Sequence, residues 1–297
     1  MQKLIECVPN FSEGRRISVI NKIADSARKV KGVRVLDVEW DKSHNRSLMT
    51  LVGEPGKVAR AVFEAIKTAT NLIDMTKHKG EHPRIGATDV VPFIPVSGVT
   101  MKECVLLSNG LAKRVSKELK IPVYMYEASA KKKSRQNLAD VRKGEYEGLK
   151  EEMGTNPERK PDYGPSKMHP TAGAMVIGAR KYLIAYNVNL DTKNIRIAKN
   201  IATKIRERGG GLPKVKALGF NVQGFAQISM NLVDFEITNF DEAYRAIEKE
   251  AKKYKVNIKS SEIYGMIPLE ALVRQIRTTF KAVDFDADRV LEKRIYE

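Results

Sequence analysis

The sequence predicts an α/β fold of two lobes, each a sheet packed against helices. Three observations carry this expectation. Strand-like and helix-like segments alternate along both halves; each half contains a hairpin between two helices; and residues 128 to about 170, poor in regular structure, separate the halves. The second half reads βαββαβ, the ferredoxin-like order, and the first reads βαββα followed by βαβ. Two ferredoxin-like α/β lobes with facing mixed sheets and a ligand cleft between them are expected, with 1–170 as the N-terminal subdomain and 171–297 as the C-terminal one.

Residues 4–8 (LIECV) read as a strand, and the polar turn Pro9, Asn10, Ser12, Glu13, Gly14 leads into a helix over 15–30. There Ile17, Ile20, Ile23, Ala24 and Ala27 recur at helical spacing. Such a strand-to-helix loop exposes backbone amides that can dock a carboxylate or amide ligand, or it is an ordinary cap at Ser12 and Glu13. Residues 33–39 and 47–52 form a hairpin carrying Asn45 and Arg46 at its far arm. A buried arginine needs an acidic partner, from the protein or from a ligand. A helix follows over 55–72. Residues 89–96 (DVVPFIPV) are a strand whose two prolines favour an edge or a distorted end. A helix over 100–119, a strand over 123–126 and one short helix over 137–149 complete the first half.

In the second half, strands at 182–188, 215–221, 226–232 and 258–264 alternate with helices at 195–208 and 241–253. The hairpin turns at Gln223 and Gly224, and a helix over 268–276 starts with proline at a favourable position. Gly209 to Gly211 lacks the Lys and Ser/Thr of a phosphate loop and reads as a helix stop.

Composition narrows the function classes. Hydrophobic residues are 42% and charged residues 30% of 297, enough for a core within a soluble chain. No run of about 18 apolar residues exists, so no membrane span is expected. The start MQKLIECVPN lacks a basic and apolar leader, and two cysteines, Cys7 and Cys104, make no disulfide framework; a reducing cytoplasm is expected. The net charge of +17 could hold nucleic acid or steer a polyanionic small molecule. The basic residues are interspersed with acids along helices, and the dense run Lys131, Lys132, Lys133, Arg135 has no interleaved aromatics for base stacking. No nucleic-acid partner is expected.

Chemistry concentrates in Lys77 to Val91, KHKGEHPRIGATDVV. His78, Glu81 and His82 fit the H-x-x-E-H pattern of a zinc hydrolase, which needs both imidazoles on one helical face. Gly80 lies inside the motif and Pro83 disfavours helical backbone at His82, so no metal site is expected. What remains is either a solvated glycine and proline loop or a lone catalytic His82 held in a constrained loop before a strand.

The whole chain resembles the folate-dependent glutamate formimidoyltransferase family. The resemblance rests on ECVPNFSEGR (Glu6 to Arg15), HNRSLMTLVGEP (His44 to Pro55), LIDMTKHKGEHPRIGATDVVPFIPV (Leu72 to Val96), IPVYMYEASA (Ile121 to Ala130), PDYGP (Pro161 to Pro165), TAGAMVIGARKYLIAYNVNL (Thr171 to Leu190) and AQISMNLVDFEIT (Ala226 to Thr238), in the family's order from residue 4 to about 275. It implies transfer of a formimidoyl group from N-formimidoyl-L-glutamate to N5 of tetrahydrofolate, with His82 as general acid/base. It also implies a folate segment of Gly164, Pro165, Ser166, Lys167, Met168, His169, Pro170, Thr171, Ala172 and Gly173, and a homodimer. Glu39 stands where the family usually carries aspartate, one methylene longer, which changes its reach towards His82; Ala172 stands where some members carry tryptophan, so the co-substrate is tetrahydrofolate or a modified reduced pterin. Asn10, Asn45, Arg46 and Arg180 are candidate substrate-binding residues; Arg180 either holds a glutamate carboxylate or pairs with Asp162. Glu39 or Asp89 could orient the His82 ring and raise its pKa, and Asp89 could equally cap a strand end. Three other readings stay open: formyl transfer between 5-formyltetrahydrofolate and glutamate, a zinc hydrolase using His78, Glu81 and His82, and a non-catalytic binder of folates or other polyanions.

Overall fold

Strand β1 (Leu4–Cys7) and the two-residue β2 (Asn10–Phe11) occupy one slot of a sheet, interrupted at Val8 and Pro9. Pro9 has no N–H to continue the ladder, although its carbonyl still accepts from Met49 N at 3.1 Å. The turn expected at 9–14 therefore contains a strand fragment. A computed structural model supplies these coordinates and describes residues 2–296 apart from residue 223, so Gln223 of the expected hairpin turn lies outside the described residues.

The chain divides into two units, Met1–Arg180 and Lys181–Glu297. In the first, β3 (Val33–Asp41) and β4 (Arg46–Gly53) form the expected hairpin, and β5 (Thr88–Ser97), β6 (Val123–Glu127) and β7 (Met175–Ala179) extend the sheet. The spatial order is β3, β4, then β1 with β2, then β5, β7, β6; the first four places reproduce the ferredoxin-like order, and β5, β7 and β6 run parallel. Helices α1 (Ile17–Arg28), α2 (Pro55–Leu72) and α3 (Met101–Glu118) pack against this mixed sheet. Val58, Val62, Ile66 and Ala69 of α2 recur at helical spacing, are wholly buried, and each large one contributes roughly 1.5–3 kcal/mol of transfer free energy. Thr100 and Glu103 start α3 with a reciprocal capping box.

Three expectations need correction. Of the two placements expected for β5, an edge or a distorted end, the first fails: β5 is an interior strand flanked by β1, β2 and β7, and its end is distorted by a register shift at Pro95. Pro95 is tolerated there because it sits at the register shift opposite Ile5, beyond the last β7 pairing at Phe93. β7 was not expected, and it places residues 171–180 in the first unit rather than the second. Its run MVIGA is buried on both sides between two parallel strands, so it shows no alternation for a sequence pattern to detect. The single helix expected over 137–149 is two, α4 (Leu138–Val141) and α5 (Glu145–Glu152), broken at Gly144, whose φ is +81°.

The second unit contains β8 (Ile184–Leu190), α6 (Ile195–Ile205), β9 (Val215–Val222), β10 (Phe225–Leu232), α7 (Phe240–Lys253) and β11 (Ile258–Tyr264), in spatial order β11-β8-β10-β9. This is the ferredoxin-like order. Its described pairings are all antiparallel rather than mixed, because each helical crossover carries the chain past one strand position. A second core of Ile184, Val188, Ile201, Ile228 and Ile247 fills the space between this sheet and its helices. Helix α8 (Leu269–Thr279) follows, with Pro268 as its N-cap rather than its first helical residue. Among the described residues no helix is long and apolar enough to cross a membrane.

Candidate functional site

Between α2 and β5 the chain runs through residues 75–87 without helix or strand, held by backbone bonds at both ends. Met75 N donates to Thr171 O at 2.8 Å, Ala87 N to Ala172 O at 2.9 Å, and Ala174 N to Ile85 O at 3.0 Å. The C-terminal end of the expected folate segment is thereby stitched to the loop that carries His82. On the other side Ser12 Oγ donates to Gly86 O at 2.7 Å and Ser12 N to Ala87 O at 2.9 Å. Asn45, in left-handed backbone with φ +48°, accepts from Gly14 N at 2.9 Å and donates to Lys79 O at 2.9 Å.

Glycine is required at two points of this loop by close approach. A Cβ at Gly80 would lie 2.3 Å from His44 O, and one at Gly86 only 1.8 Å from Ala174 O. Gly86→Ala is expected to destabilise the protein by about 1–3 kcal/mol or more, since backbone on both sides must move. Urea denaturation checks this; an unchanged midpoint would show that the strands can separate freely here.

His82 is half-buried, and its Nδ1 lies 2.7 Å from Pro83 O. A carbonyl only accepts, so Nδ1 carries the proton and Nε2 keeps its lone pair. Burial, then the positive charges of Arg46 and Arg142, push its pKa down to about 3, against a smaller opposing pull from Asp89. The expected elevation is reversed chiefly by burial of the ring; the two guanidiniums add to it, and one carboxylate does not offset them. The His44 ring stands edge-on to His82 with centroids 6.1 Å apart, and His44 Nδ1 lies 3.0 Å from Asp41 Oδ1. His78 donates from Nε2 to Asn45 O at 3.0 Å, while its Nδ1 accepts from Arg84 Nε at 3.4 Å. The helical face that an H-x-x-E-H zinc site needs is not formed, and His78 has both ring nitrogens engaged with protein.

Asp89 is fully buried at the start of β5. Its Oδ1 accepts from Ile85 N at 2.9 Å, and its Oδ2 accepts from Arg46 Nη1 at 2.8 Å and from Arg142 Nη2. Burial works to raise its pKa, yet Arg142 and Arg46 together outweigh burial and hold it down at about 2. Arg46 also donates from Nε to Asn10 Oδ1 at 3.0 Å; burial lowers its pKa to about 10, because it shares its one carboxylate with a second cation. Asp89 thus serves as both strand-end cap and arginine partner. It does not hydrogen-bond His82, and neither does Glu39; the ring is oriented by Pro83 O, since the Asp89 oxygens are occupied by Ile85, Arg46 and Arg142.

The other expected residues divide. Asn10 joins Arg46 in this cluster, and Glu39 pairs across β3 and β4 with Leu48, which pairs with Asn10, so Glu39 shares their face of the sheet. Gly164, Pro165, Ser166 and Lys167 are exposed, whereas Met168, Ala172 and Gly173 are buried. His169 Nδ1 accepts from Ala172 N at 3.0 Å and thereby closes the turn that brings Thr171 to the His82 loop. Pro170 lies at the tip of that turn. Arg180 hydrogen-bonds the Tyr126 side chain and not Asp162, which pairs with the buried Arg135 at 2.7 Å. Most amides of this loop are occupied: Ser12 N by Ala87 O, Gly14 N by Asn45, and Arg15 N and Arg16 N by Glu13 Oε1. That loop is therefore a cap and a brace.

Arg142, His44 and Arg84 belong to the cluster and were not among the expected site residues. Arg84 is buried and clamped by Glu145 at 2.8 Å and by Glu147 at 2.6 Å, while Arg142 comes from the end of α4. The only sequence signal for Arg142 was the irregular character of 128–170; nothing in its neighbours links it to Asp89, 53 residues earlier.

Residues 4–180 match the family model of the formiminotransferase domain, N-terminal subdomain, and residues 185–283 match that of the formiminotransferase domain. The chain is 47% identical over 288 residues to a glutamate formimidoyltransferase of Streptococcus pyogenes serotype M1, covering 96% of each. It is 45% identical over 296 residues to a glutamate formimidoyltransferase of Thermoplasma acidophilum, covering 98% of this chain and 97% of that one. A formimidoyltransferase-cyclodeaminase of Rattus norvegicus is 44% identical over 281 residues, 92% of this chain and 52% of the relative.

Proposed function

Because the chain belongs to the formiminotransferase family and is a transferase of that family, we propose that it moves the formimidoyl group of N-formimidoyl-L-glutamate to N5 of tetrahydrofolate. The observation that carries this reading is His82: a half-buried imidazole whose Nδ1–H is held by Pro83 O and whose Nε2 lone pair is available. N5 attacks the amidine carbon and forms a tetrahedral intermediate. Nε2 takes the proton that N5 releases and returns it to the glutamate nitrogen as the old C–N bond breaks. No net proton is consumed, and one C–N bond replaces another. The segment 164–173 is the folate segment of this reading, supported by its attachment through Thr171 and Ala172 to the His82 loop.

Purified protein is expected to convert tetrahydrofolate and N-formimidoyl-L-glutamate to 5-formimidoyltetrahydrofolate and glutamate, followed by chromatography of the folate product. Product formation from 5-formyltetrahydrofolate and glutamate alone, with none from the formimidoyl donor, would replace this reaction with formyl transfer.

A further inference from the structure

We propose that Arg142 and Arg46 form a carboxylate-binding subsite beside His82, with Arg142 as its principal residue and the donor amino acid as its ligand. This rests on the reaction proposed above for its choice of donor, and on the following geometry for the subsite itself.

Two guanidiniums converge on a single oxygen of one carboxylate, Asp89 Oδ2, whose other oxygen is taken by Ile85 N. Two cations on one anion leave one positive charge without a counter-charge, in side chains only 11% and 12% exposed. Carrying such a charge out of water is costly unless an anion meets it. Among the described residues the carboxylate paired with both arginines is Asp89, and it is the one carboxylate acting on Arg46; Glu145 and Glu147 are engaged with Arg84, and both are substantially solvent-exposed. Donor positions are also left over. Arg46 uses Nε on Asn10 and Nη1 on Asp89, so its Nη2 has no hydrogen bond among the described residues. Arg142 uses only Nη2; its Nε is sealed from solvent without a partner, and its Nη1 is likewise unbonded. A guanidinium held by one corner presents its remaining N–H groups as a fork, the geometry that matches a carboxylate.

Position supports the same assignment. Both arginines act electrostatically on the His82 ring, so a carboxylate bound to them is held within one small molecule's length of the base. It also neutralises the positive charge that, after burial, makes His82 reluctant to accept a proton. N-formimidoylglutamate carries two carboxylates close to its reacting nitrogen; the glutamate tail of folate carries two at the far end of a long molecule.

Calorimetric titration of the full chain tests this, with L-glutamate, tetrahydrofolate and tetrahydropteroate (the same pterin without its glutamate) as probes, on wild type, Arg142→Met and Arg142→Lys. Arg142→Met is expected to weaken L-glutamate binding roughly 10- to 100-fold, the range for a lost charge-assisted pair. Arg142→Lys recovers part of it, and tetrahydropteroate affinity is unchanged. If tetrahydrofolate weakens and tetrahydropteroate does not, with L-glutamate unaffected, the subsite stands as one for the folate tail and the donor assignment falls. Equal loss for all three probes would assign Arg142 to holding the loop and overturn the subsite, as would unchanged affinities or a wild type that binds neither carboxylate ligand. Wild-type protein that binds L-glutamate through Arg142 yet transfers no formimidoyl group overturns the reaction and leaves the subsite standing.

Discussion

Replacing His82 with alanine is expected to lower kcat by roughly 10²- to 10⁴-fold, the range over which positioned acid/base groups contribute, while tetrahydrofolate affinity changes little. The ring is held in place by Pro83 O through Nδ1 and shares no hydrogen bond with Asp89 or Glu39, so its removal leaves the arginine cluster intact. His82→Asn, which keeps a polar group of similar reach but cannot cycle a proton, should be as slow as alanine. Single-turnover measurements at saturating folate separate lost chemistry from lost binding; wild-type turnover in either variant removes His82 from the reaction. The pH profile gives a second test. With its pKa pushed to about 3 by burial, Arg46 and Arg142, His82 in the free protein stays a neutral base well below pH 6. kcat/KM should therefore lack the acid limb near 6.5 that an unperturbed imidazole gives. A limb at that position would mean that the ring is more open to water than its surroundings indicate.

Asp89→Asn is expected to be the most destabilising isosteric change in the first unit, by roughly 3–5 kcal/mol, because it leaves Arg46 and Arg142 buried around a neutral amide. The asparagine oxygen can still accept from Ile85 N, so the loss reports on charge and not on shape. The acid behaviour of the unmodified protein follows from the same group. The Asp89 pKa is lower in the folded protein, about 2, than its ordinary 3.8. Its stabilising contribution is therefore complete above about pH 4 and is lost as pH falls towards 2. It amounts to about 2 kcal/mol, and the acid slope should be shallower in Asp89→Asn by that amount. The lowered pKa of Arg46, about 10, concerns only the alkaline side and does not alter this sign. Urea midpoints measured from pH 7 to pH 2.5 for both proteins decide the matter; parallel curves would show that Asp89 titrates alike folded and unfolded.

The layout of both halves was legible in the chain because amphipathic helices and two-sided strands print their period locally. Ile17, Ile20, Ile23, Ala24 and Ala27 mark α1 whatever it packs against, and the second half reproduces the ferredoxin-like order strand by strand. β7 escaped for the opposite reason: a strand buried on both faces has no polar side to alternate with. Pro92 and Pro95 point to a sheet edge or a distorted end, and only the register shown by β1 and β7 reveals that the strand is interior and that its end is distorted at Pro95.

Local chemistry determined that the 77–91 loop is constrained, that Gly80 and Pro83 keep His82 out of a helix, and that Arg46 needs an acidic partner. Tertiary structure alone decided which acid that is, and that a second arginine joins it. Asp89 lies 43 residues from Arg46 and 53 from Arg142, separations at which no sequence period carries information. Ion pairing depends on distances set by how strands and loops pack, and a charge is the same letter wherever it lies. The sign of the His82 shift is hidden from the sequence for the same reason: a chain written in order shows a carboxylate near the histidine, while in space the ring is buried, which lowers its pKa most, and two cations beside it lower it further.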